Sequence, residues 1–288
     1  MRGRVTLQLP RAYESSIELD GASILLIGNG YIAKALTPHL IKAGAHVQAT
    51  TRDDGPCQFG SNAMRQAFET ADIVLVSIPP SRTGVDPALD ALKSAKTQAR
   101  WIGYLSATSV YGDRQGGWAF EGEAPTPLLP RGKRRADAEL IWLEEYPQTH
   151  VFRLAGIYGP GRDPFQRIRA GTARIVEAPE HVVNRIHVED IVSALLASIQ
   201  QPSGQSIFNI ADGHPAPPGD VLRFAAKLIG ETPPPTVALD DPSVSDMART
   251  FYAETKRIDI SHAKARLQWT PRFQTYRDGL RAVLKTMS

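Results

Sequence analysis

The residues of this chain that could do chemistry are concentrated in a cationic segment, LPRGKRRADAEL, at positions 129–140. Four of the five residues at 131–135 are basic, and Arg131 and Arg135 stand four positions apart, so that on a helix they share one face. Two guanidinium groups can bind a carboxylate or phosphate, or stabilise a developing oxyanion. A run of like charges is also typical of a solvated helix surface. The segment alone leaves both interpretations open.

A second chemical element is the stretch LLIGNGYIAKAL, in which Gly28, Gly30 and Ala33 form a G-x-G-x-x-A pattern between an apolar run and an amphipathic helix. The first glycine of such a loop permits a tight turn, and the second lets the backbone approach a pyrophosphate at the helix N-terminus. We therefore predict a dinucleotide site that includes Gly28, Gly30, Tyr31 and Ile32. The alternative is a plain strand-to-helix turn in a flavodoxin-like sheet.

The end of the second apolar run carries Thr51 and Arg52, where NAD-binding sheets usually place an acid against the ribose 2′-hydroxyl. The first acidic residue here is Asp53. Because a guanidinium fork suits a 2′-phosphate, Thr51 and Arg52 are predicted to bind the cofactor, and NADP is favoured over NAD. The alternative for Arg52 is a surface arginine in a turn.

The elements that must position these groups are apolar runs that alternate with amphipathic helical patterns. Such alternation predicts a parallel sheet that is covered by helices on both faces and binds ligands at the carboxyl ends of its strands. The predicted fold class is α/β, a Rossmann doubly wound parallel sheet with a smaller interleaved C-terminal substrate lobe. The predicted strands are ASILLIG, AHVQATTR, ADIVLVSIPP, ARWIGYLSA, THVFRLAGIYG and QSIFNIADG.

The same pattern predicts the domain organisation. Residues 1–20 form an N-terminal extension with two short strand-like runs, RVTLQL and SSIEL. Residues 21–160 form the Rossmann NAD(P)-binding domain, to which a strand at 206–211 returns. Residues 161–205 and 212–288 belong mostly to the substrate lobe.

Composition excludes several classes of protein. The 288 residues are 42% hydrophobic, enough for a sizeable core, and a net charge of +3 is too small for a nucleic-acid-binding protein. Cys57 is the single cysteine, so no intrachain disulfide can form and a reducing, cytoplasmic location is expected. We predict no metal site, and no apolar run reaches the about 18 residues of a membrane span.

The motifs LSATSVYGD, FRLAGIYGPGR, NRIHVEDI and FNIADG follow the glycine loop in this order. Together they resemble the extended short-chain dehydrogenase/reductase family, which contains NAD(P)-dependent sugar epimerases, dehydratases and reductases. The G-x-G-x-x-A loop and the segment SIPPS are similar to an atypical branch, the bacterial YeeZ-like proteins. The resemblance implies a nicotinamide cofactor, a small-molecule substrate and a possible homodimer.

The family pattern also implies a Ser or Thr after the fourth strand and a Tyr and Lys four positions apart on the next helix. In this chain the hydroxyl position is Ala107, with Ser106 and Thr108 on either side, and Arg131 and Arg135 stand where Tyr and Lys are expected. Arginine cannot act as an acid or base near neutral pH. The family's usual proton transfer therefore cannot run through Arg131.

Three hypotheses remain. In the first, the chain is an NADP-dependent oxidoreductase or epimerase-like enzyme for an anionic small molecule, such as a nucleotide-linked sugar. In the second, it is a non-catalytic NADP-binding sensor or partner-binding module. In the third, the arginines form a solvated face and the site lies in the lobe. The catalytic candidates are Ser106, Thr108, Tyr111, Arg131 and Arg135.

The C-terminal lobe offers further candidates. Arg162 and Arg185 are predicted to bind the substrate, whereas His187, in the motif NRIHVEDI, is interpreted as structural. A Y-x-x-x-K spacing also occurs at Tyr252 and Lys256, far along the chain from LSATSVYGD. With eight tyrosines in the sequence we interpret this spacing as fortuitous, unless the lobe folds back over the cofactor.

Overall fold

The computed structural model describes residues 16–53, 55–93, 95–178 and 180–287. The predicted strand RVTLQL lies outside the described residues, and residues 16–19, from the predicted strand SSIEL, do not form a strand. Within the described ranges, no helix has the length and apolar character needed to cross a bilayer.

Strands and helices alternate along the chain. Their order is β1 (Ser23–Ile27), α1 (Tyr31–Lys42), β2 (His46–Ala49), α2 (Asn62–Thr70), β3 (Ile73–Val76), α3 (Pro87–Leu92), β4 (Trp101–Ala107), a 3₁₀ turn (Thr108–Tyr111), β5 (Trp118–Ala119), α4 (Pro130–Glu145), β6 (Thr149–Leu154), β7 (Gly156–Tyr158), α5 (Phe165–Arg169), β8 (Ile175–Val176), β9 (Arg185–His187), α6 (Val188–Ile199), β10 (Ser206–Ile210), α7 (Pro218–Leu228), β11 (Thr236–Val237), α8 (Asp246–Phe251), β12 (Arg257–Ile258), α9 (Ser261–Leu267) and α10 (Tyr276–Thr286).

The central sheet has six parallel strands in the order β10-β6-β4-β3-β1-β2. The predicted doubly wound parallel sheet is confirmed, and β10 returns to it beside β6. The chain runs from β1 outward to β2 and then back to β3 on the other side of β1. This change of direction opens a crevice at the carboxyl ends of β1 and β3, where such sheets bind ligands.

Both faces of the sheet are buried under helices. Along β1 the side chains alternate, with Ile24 and Leu26 packing toward α1, α6 and α9, and Leu25 and Ile27 toward α2, α3 and α4. This two-sided burial explains why the strand is apolar at nearly every position.

The lobe has a core of its own, which α5, α7 and α10 form around Phe165, Tyr276 and Leu280. One refinement of the predicted boundaries follows from the packing. Helix α6 lies within residues 161–205, which were predicted to belong mostly to the lobe, but it packs on the sheet face beside α1. Its apolar face, which includes Ile191 and Leu195, requires this position.

Candidate functional site

The glycine loop lies between β1 and α1 at the crevice of the sheet. Gly28 has a φ of +105°, and a Cβ there would lie 2.4 Å from Ser77 Oγ, so only glycine fits. At Gly30, by contrast, no described heavy atom lies within 4 Å of the Cβ position. No side chain caps the start of α1, which leaves its first N–H groups free to bind an anion. These features fit the pyrophosphate of a dinucleotide.

A cleft begins at this loop with a cavity of about 320 Å³, which we call the loop cavity. It touches Gly30 and Tyr31, Ser77 after β3, and Ser106 and Ala107 at the end of β4. The cavity therefore joins the carboxyl ends of three neighbouring strands to the glycine loop, which is where the nicotinamide half of a dinucleotide would lie.

Two further cavities continue the cleft toward the lobe. The middle cavity, of about 340 Å³, shares Ala107 and Arg135 with the loop cavity and adds Thr108 and Arg131. The inner pocket, of about 100 Å³, shares Thr108 and Arg131 with the middle cavity and ends at Lys256. The three cavities follow one path from the glycine loop to the lobe.

Helix α4 brings the basic segment to this cleft. A Cβ at Gly132 would lie 2.4 Å from the Ser109 carbonyl oxygen, so this glycine lets α4 pack directly against the 3₁₀ turn. Arg135 donates a hydrogen bond to the carbonyl oxygen of Leu105, at the end of β4, and is half-buried. Arg131 is exposed and lines both the middle cavity and the inner pocket. The helix thus directs two guanidinium groups into the cleft.

Two of the predicted hydroxyl groups also line the cleft. Ser106 is 3% exposed, and its Oγ has no hydrogen-bond partner among the described residues. Thr108 begins the 3₁₀ turn and lines the middle cavity and the inner pocket. An unpartnered buried hydroxyl is costly, and a ligand oxygen in the loop cavity would satisfy it.

The structure does not bring Tyr111 into the cleft. Its side chain is fully buried, its hydroxyl donates to Asn209 Oδ1 at 2.7 Å, and it accepts a hydrogen bond from Arg153 at 2.9 Å. Arg153 in turn forms a buried ion pair with Glu139, at 2.7 Å. Tyr111 therefore belongs to a buried network that joins the 3₁₀ turn, α4, β6 and β10. Burial raises its pKa to about 12, which disfavours an acid–base role near neutral pH.

The two arginines predicted to bind the substrate have different positions. Arg162 is exposed at the mouth of the loop cavity, with its guanidinium 5.1 Å from the ring centroid of Tyr31. Arg185 instead donates to the carbonyl oxygens of Val183 and Ala216, at 2.9 and 3.0 Å, and burial lowers its pKa. Arg185 is therefore a structural clamp within the lobe, and we withdraw it from the substrate site.

The remaining predicted positions lie at the edge of the crevice or outside the cleft. Thr51 is half-buried after β2 and donates to the carbonyl oxygen of Asp53, and Arg52 beside it is exposed. His187 caps α6 by accepting a hydrogen bond from the Glu189 N–H, and burial lowers its pKa to about 4. A neutral, buried cap agrees with a structural role for this histidine.

Sequence reasoning missed the contribution of the lobe to the inner pocket. Lys256 is 8% exposed and pairs with Glu254 at 2.7 Å, and both line the pocket opposite Arg131. The lobe folds back over the cleft and brings Lys256 to the pocket, whereas the two residues of the Y-x-x-x-K spacing do not meet there. Tyr252 packs against His181, with ring centroids 4.7 Å apart, and is absent from the pocket wall.

In the described ranges, no group of three or more histidine, cysteine or acidic residues is placed so that it could hold a metal ion. The fold and the cleft together define a Rossmann-type α/β protein whose cleft fits a nicotinamide dinucleotide. The glycine loop, the parallel sheet and the lobe folded over its carboxyl edge carry this assignment.

The comparisons with known proteins agree with this class, although no protein-family model matches the chain. A solved structure of a conserved protein of unknown function from Silicibacter pomeroyi superposes with a TM-score of 0.84 and 37% identity, over 92% of this chain and 99% of that one. The protein YeeZ of Escherichia coli is 34% identical over 180 residues, which are 58% of this chain. The chain belongs to the family of the Silicibacter pomeroyi protein, and it is similar to YeeZ, in agreement with the YeeZ-like resemblance of its motifs.

The matched part spans 63% of the length of YeeZ. A second curated relative, the 3-diazoavenalumate denitrifying reductase of a Streptomyces species, is 30% identical over 138 residues, 45% of either chain. The structure of MoeE5 in complex with UDP-glucuronic acid and NAD is 21% identical and superposes with a TM-score of 0.75 over 92% of this chain and 98% of that one. At that identity the likeness shows the shared fold.

Proposed function

We propose that this protein is an NADP-dependent oxidoreductase or epimerase-like enzyme that acts on an anionic small molecule, of the nucleotide-sugar class or similar to it. The observation that carries the proposal is the continuous cleft from the glycine loop to Arg135 and Arg131. A dinucleotide loop at one end and cations at the other fit a cofactor and a negatively charged substrate in one site. The relative named as a reductase and the neighbour that binds NAD support the same class.

NADP is the cofactor that the residues favour. Arg52 stands exposed after β2, at the edge of the crevice, in place of the acid that would bind a free ribose 2′-hydroxyl. Arg162, at the mouth of the loop cavity, adds a cation near the glycine loop. The charge of Arg52 favours the more anionic of the two dinucleotides, whereas Arg162 lies beside the nicotinamide half, which NAD and NADP share.

The chemistry must run without the usual tyrosine and lysine. A nicotinamide dinucleotide, when bound, supplies or accepts a hydride. Ser106 donates a hydrogen bond to the substrate oxygen, and Arg135, which lines the same cavity, stabilises the negative charge that develops on it. Since arginine keeps its proton, it stabilises this negative charge without neutralising it, and the proton that completes the product alcohol comes from solvent water. Orientation and charge stabilisation are then the main contributions of the chain to hydride transfer.

The second candidate function is a non-catalytic NADP-binding sensor. The loss of a hydroxyl at Ala107 and of the tyrosine and lysine at Arg131 and Arg135 favours it. The cleft would then bind an anionic ligand together with the cofactor, and no hydride would move.

Cofactor titration and turnover distinguish these functions. Nicotinamide fluorescence would measure NADPH and NADH binding to the full chain, and we expect tighter binding of NADPH. Loss of NADPH absorbance would then be followed with anionic carbonyl compounds, including oxidised nucleotide sugars. Turnover supports the enzyme. Binding of NADPH and of an anionic ligand, without turnover over a broad panel, supports the sensor, and no binding of either dinucleotide would overturn both.

The homodimer and the cytoplasmic location implied at the sequence level stay predictions. Helix α4 exposes Leu140 and Ile141, whose side chains are 57% and 43% exposed, on a surface that a second copy could cover. Sedimentation of the purified chain would test the dimer.

A further inference from the structure

The inner pocket is built by two parts of the chain that are distant in sequence. Asn184 donates to the carbonyl oxygen of Lys256 at 2.8 Å and accepts from the Ile258 N–H at 2.9 Å. The Thr255 N–H donates to Asp113, at 2.8 Å, and β12 pairs with β5. These backbone contacts fix the position of Lys256, so the lysine is held at the pocket by the fold.

The wall of the inner pocket contains an ion pair with an unpartnered carboxylate oxygen. Lys256 is paired with Glu254 through Oε2, while the other oxygen, Glu254 Oε1, has no hydrogen-bond partner in the described part of the chain. The side chain of Glu254 is 7% exposed. His181, in the same wall, has a buried Nε2 that also lacks a partner among the residues described. Both residues line one small cavity, and a ligand there would complete the hydrogen bonds of these two atoms.

The charges in the wall define the chemistry of that ligand. Arg131 presents a guanidinium fork, and Lys256 an ammonium group, so two donors with positive charge face one pocket. Glu254 Oε1 requires a donor from the ligand. Burial and the nearby charges of Lys256 and Arg185 lower the pKa of His181, so its imidazole is neutral near pH 7. An anion alone would leave the carboxylate oxygen unsatisfied, and a neutral alcohol would leave the cations unsatisfied.

The size of the pocket limits the ligand further. The inner pocket, at about 100 Å³, is the smallest of the three cavities of the cleft, so a small end group of the ligand suits it better than a sugar ring or a nucleotide base. The bulk of a larger substrate would extend into the middle cavity, toward Ala107 and the glycine loop.

We infer that the inner pocket is a subsite for an α-hydroxy-carboxylate end group, whose carboxylate is held by Arg131 and Lys256 and whose hydroxyl donates to Glu254. The inference rests on the proposed function, because it names the substrate class of the same cleft. A hydroxy acid or a sugar acid carries such a group, and this assignment gives the proposed enzyme its anionic substrate.

Three small probes test the subsite, since propionate and propylene glycol each differ from lactate in one group. Lactate has both the carboxylate and the hydroxyl, propionate lacks the hydroxyl, and propylene glycol lacks the charge. Ligand-observed NMR titrations of the full chain, with and without NADPH, would give their dissociation constants. We expect lactate to bind at least about tenfold more tightly than either of the others, the effect of one charge-assisted hydrogen bond.

Matched variants assign the effect to the pocket. Lys256→Met should weaken lactate binding by about tenfold, because one of the two cations that hold the carboxylate is lost, while Lys264→Met, at an exposed position on α9, removes the same charge without effect. Should Lys256→Met unfold because Glu254 is left unpaired, Lys256→Met/Glu254→Gln removes both charges and should show the same loss. Melting temperature and NADPH fluorescence check that each variant is folded.

Two results would overturn the subsite. One is equal affinity of the wild-type chain for the three probes, and the other is unchanged lactate binding in a folded Lys256 variant. Failure of the proposed function has a different signature, since the wild-type chain would then fail to bind either dinucleotide while the probe titrations without NADPH still decide the subsite.

Discussion

Arg52 is the side chain on which the choice between the two nicotinamide dinucleotides depends. Arg52→Ala should weaken NADPH binding by about tenfold, because one charge-assisted contact to the 2′-phosphate is lost, and should leave NADH binding within about twofold. Fluorescence titration measures both constants. The control is Arg100→Ala, an exposed arginine that precedes β4 at the opposite edge of the sheet. An equal loss for NADPH and NADH would show that Arg52 does not recognise the phosphate.

Among the described basic residues of the segment 131–135, only Arg131 lines both the middle cavity and the inner pocket. Arg131→Met should lower the affinity for an anionic ligand by about tenfold or more and leave NADPH binding unchanged. The matched control is Lys133→Met, which removes a charge from an exposed residue two positions further along α4. If both substitutions have the same effect in the probe titrations, the segment acts only through its overall charge.

For single residues, the sequence predicted positions in the site where a local pattern determines them. The i, i+4 spacing predicted that Arg131 and Arg135 share a helix face, and the structure places both at the cleft. Tyr111 was wrongly predicted to line the site, because closeness in sequence to the end of β4 does not show which way a side chain in the following turn points. Lys256 was missed because its position depends on long-range contacts such as those of Asn184, which no local pattern encodes.

Helix α4 is the element that positions the site, and its approach to the 3₁₀ turn depends on Gly132. Gly132→Ala would gain up to about 1 kcal/mol of helix propensity. Its Cβ, however, would lie 2.4 Å from the Ser109 carbonyl oxygen and 2.9 Å from Pro127 Cβ, and relieving such contacts costs about 1–3 kcal/mol or more.

We therefore expect net destabilisation by Gly132→Ala and weaker ligand binding, because α4 carries Arg131 away from Thr108. Denaturant unfolding and probe titration measure the two effects. Gly122→Ala is the control, since no described heavy atom lies within 4 Å of its Cβ position. A Gly132 variant as stable as the wild type would contradict the proposed packing.

The opposite side of α4 is fixed by the buried ion pair between Glu139 and Arg153. Glu139→Gln leaves the guanidinium without a counter-charge, and breaking such a pair typically costs about 3–5 kcal/mol. Glu139→Gln/Arg153→Met removes both charges and should cost less than the single change. Denaturant unfolding of the wild type and the two variants tests this order of stability. A double variant less stable than Glu139→Gln would contradict it.

Over the whole molecule, the sheet could be predicted better than the contacts between the sheet and the lobe. Near-continuous apolar runs with intervening helices define a parallel sheet, because each strand is buried on both faces. The lobe is held by short pairings, such as β5 with β12 and β7 with β9, whose strands are two or three residues long. Runs of that length carry no periodicity, so the return of Lys256 to the cleft could not be read from the pattern.

The junction between sheet and lobe contains a group that makes stability depend on pH. Asp212 follows β10 and is 2% exposed, and its Oδ2 has no partner among the described residues. Burial raises the pKa of this carboxyl to about 7 from an ordinary value of 3.8. Between these two values the folded chain keeps a proton that the unfolded chain releases, so the free energy of unfolding falls as pH rises toward 7.

Asp212→Asn keeps the shape of the neutral carboxyl and cannot ionise. We expect the variant to be close to the wild type in stability near pH 4 and more stable by a few kcal/mol above pH 7, since each unit of pKa shift corresponds to about 1.4 kcal/mol. His150 and His187, whose pKa values burial lowers to about 4, destabilise the fold below pH 6.5 in both chains. The difference between the two chains therefore isolates Asp212. Denaturant unfolding across this pH range measures it, and a difference that does not grow with pH would show that the Asp212 carboxyl is ionised in the folded protein.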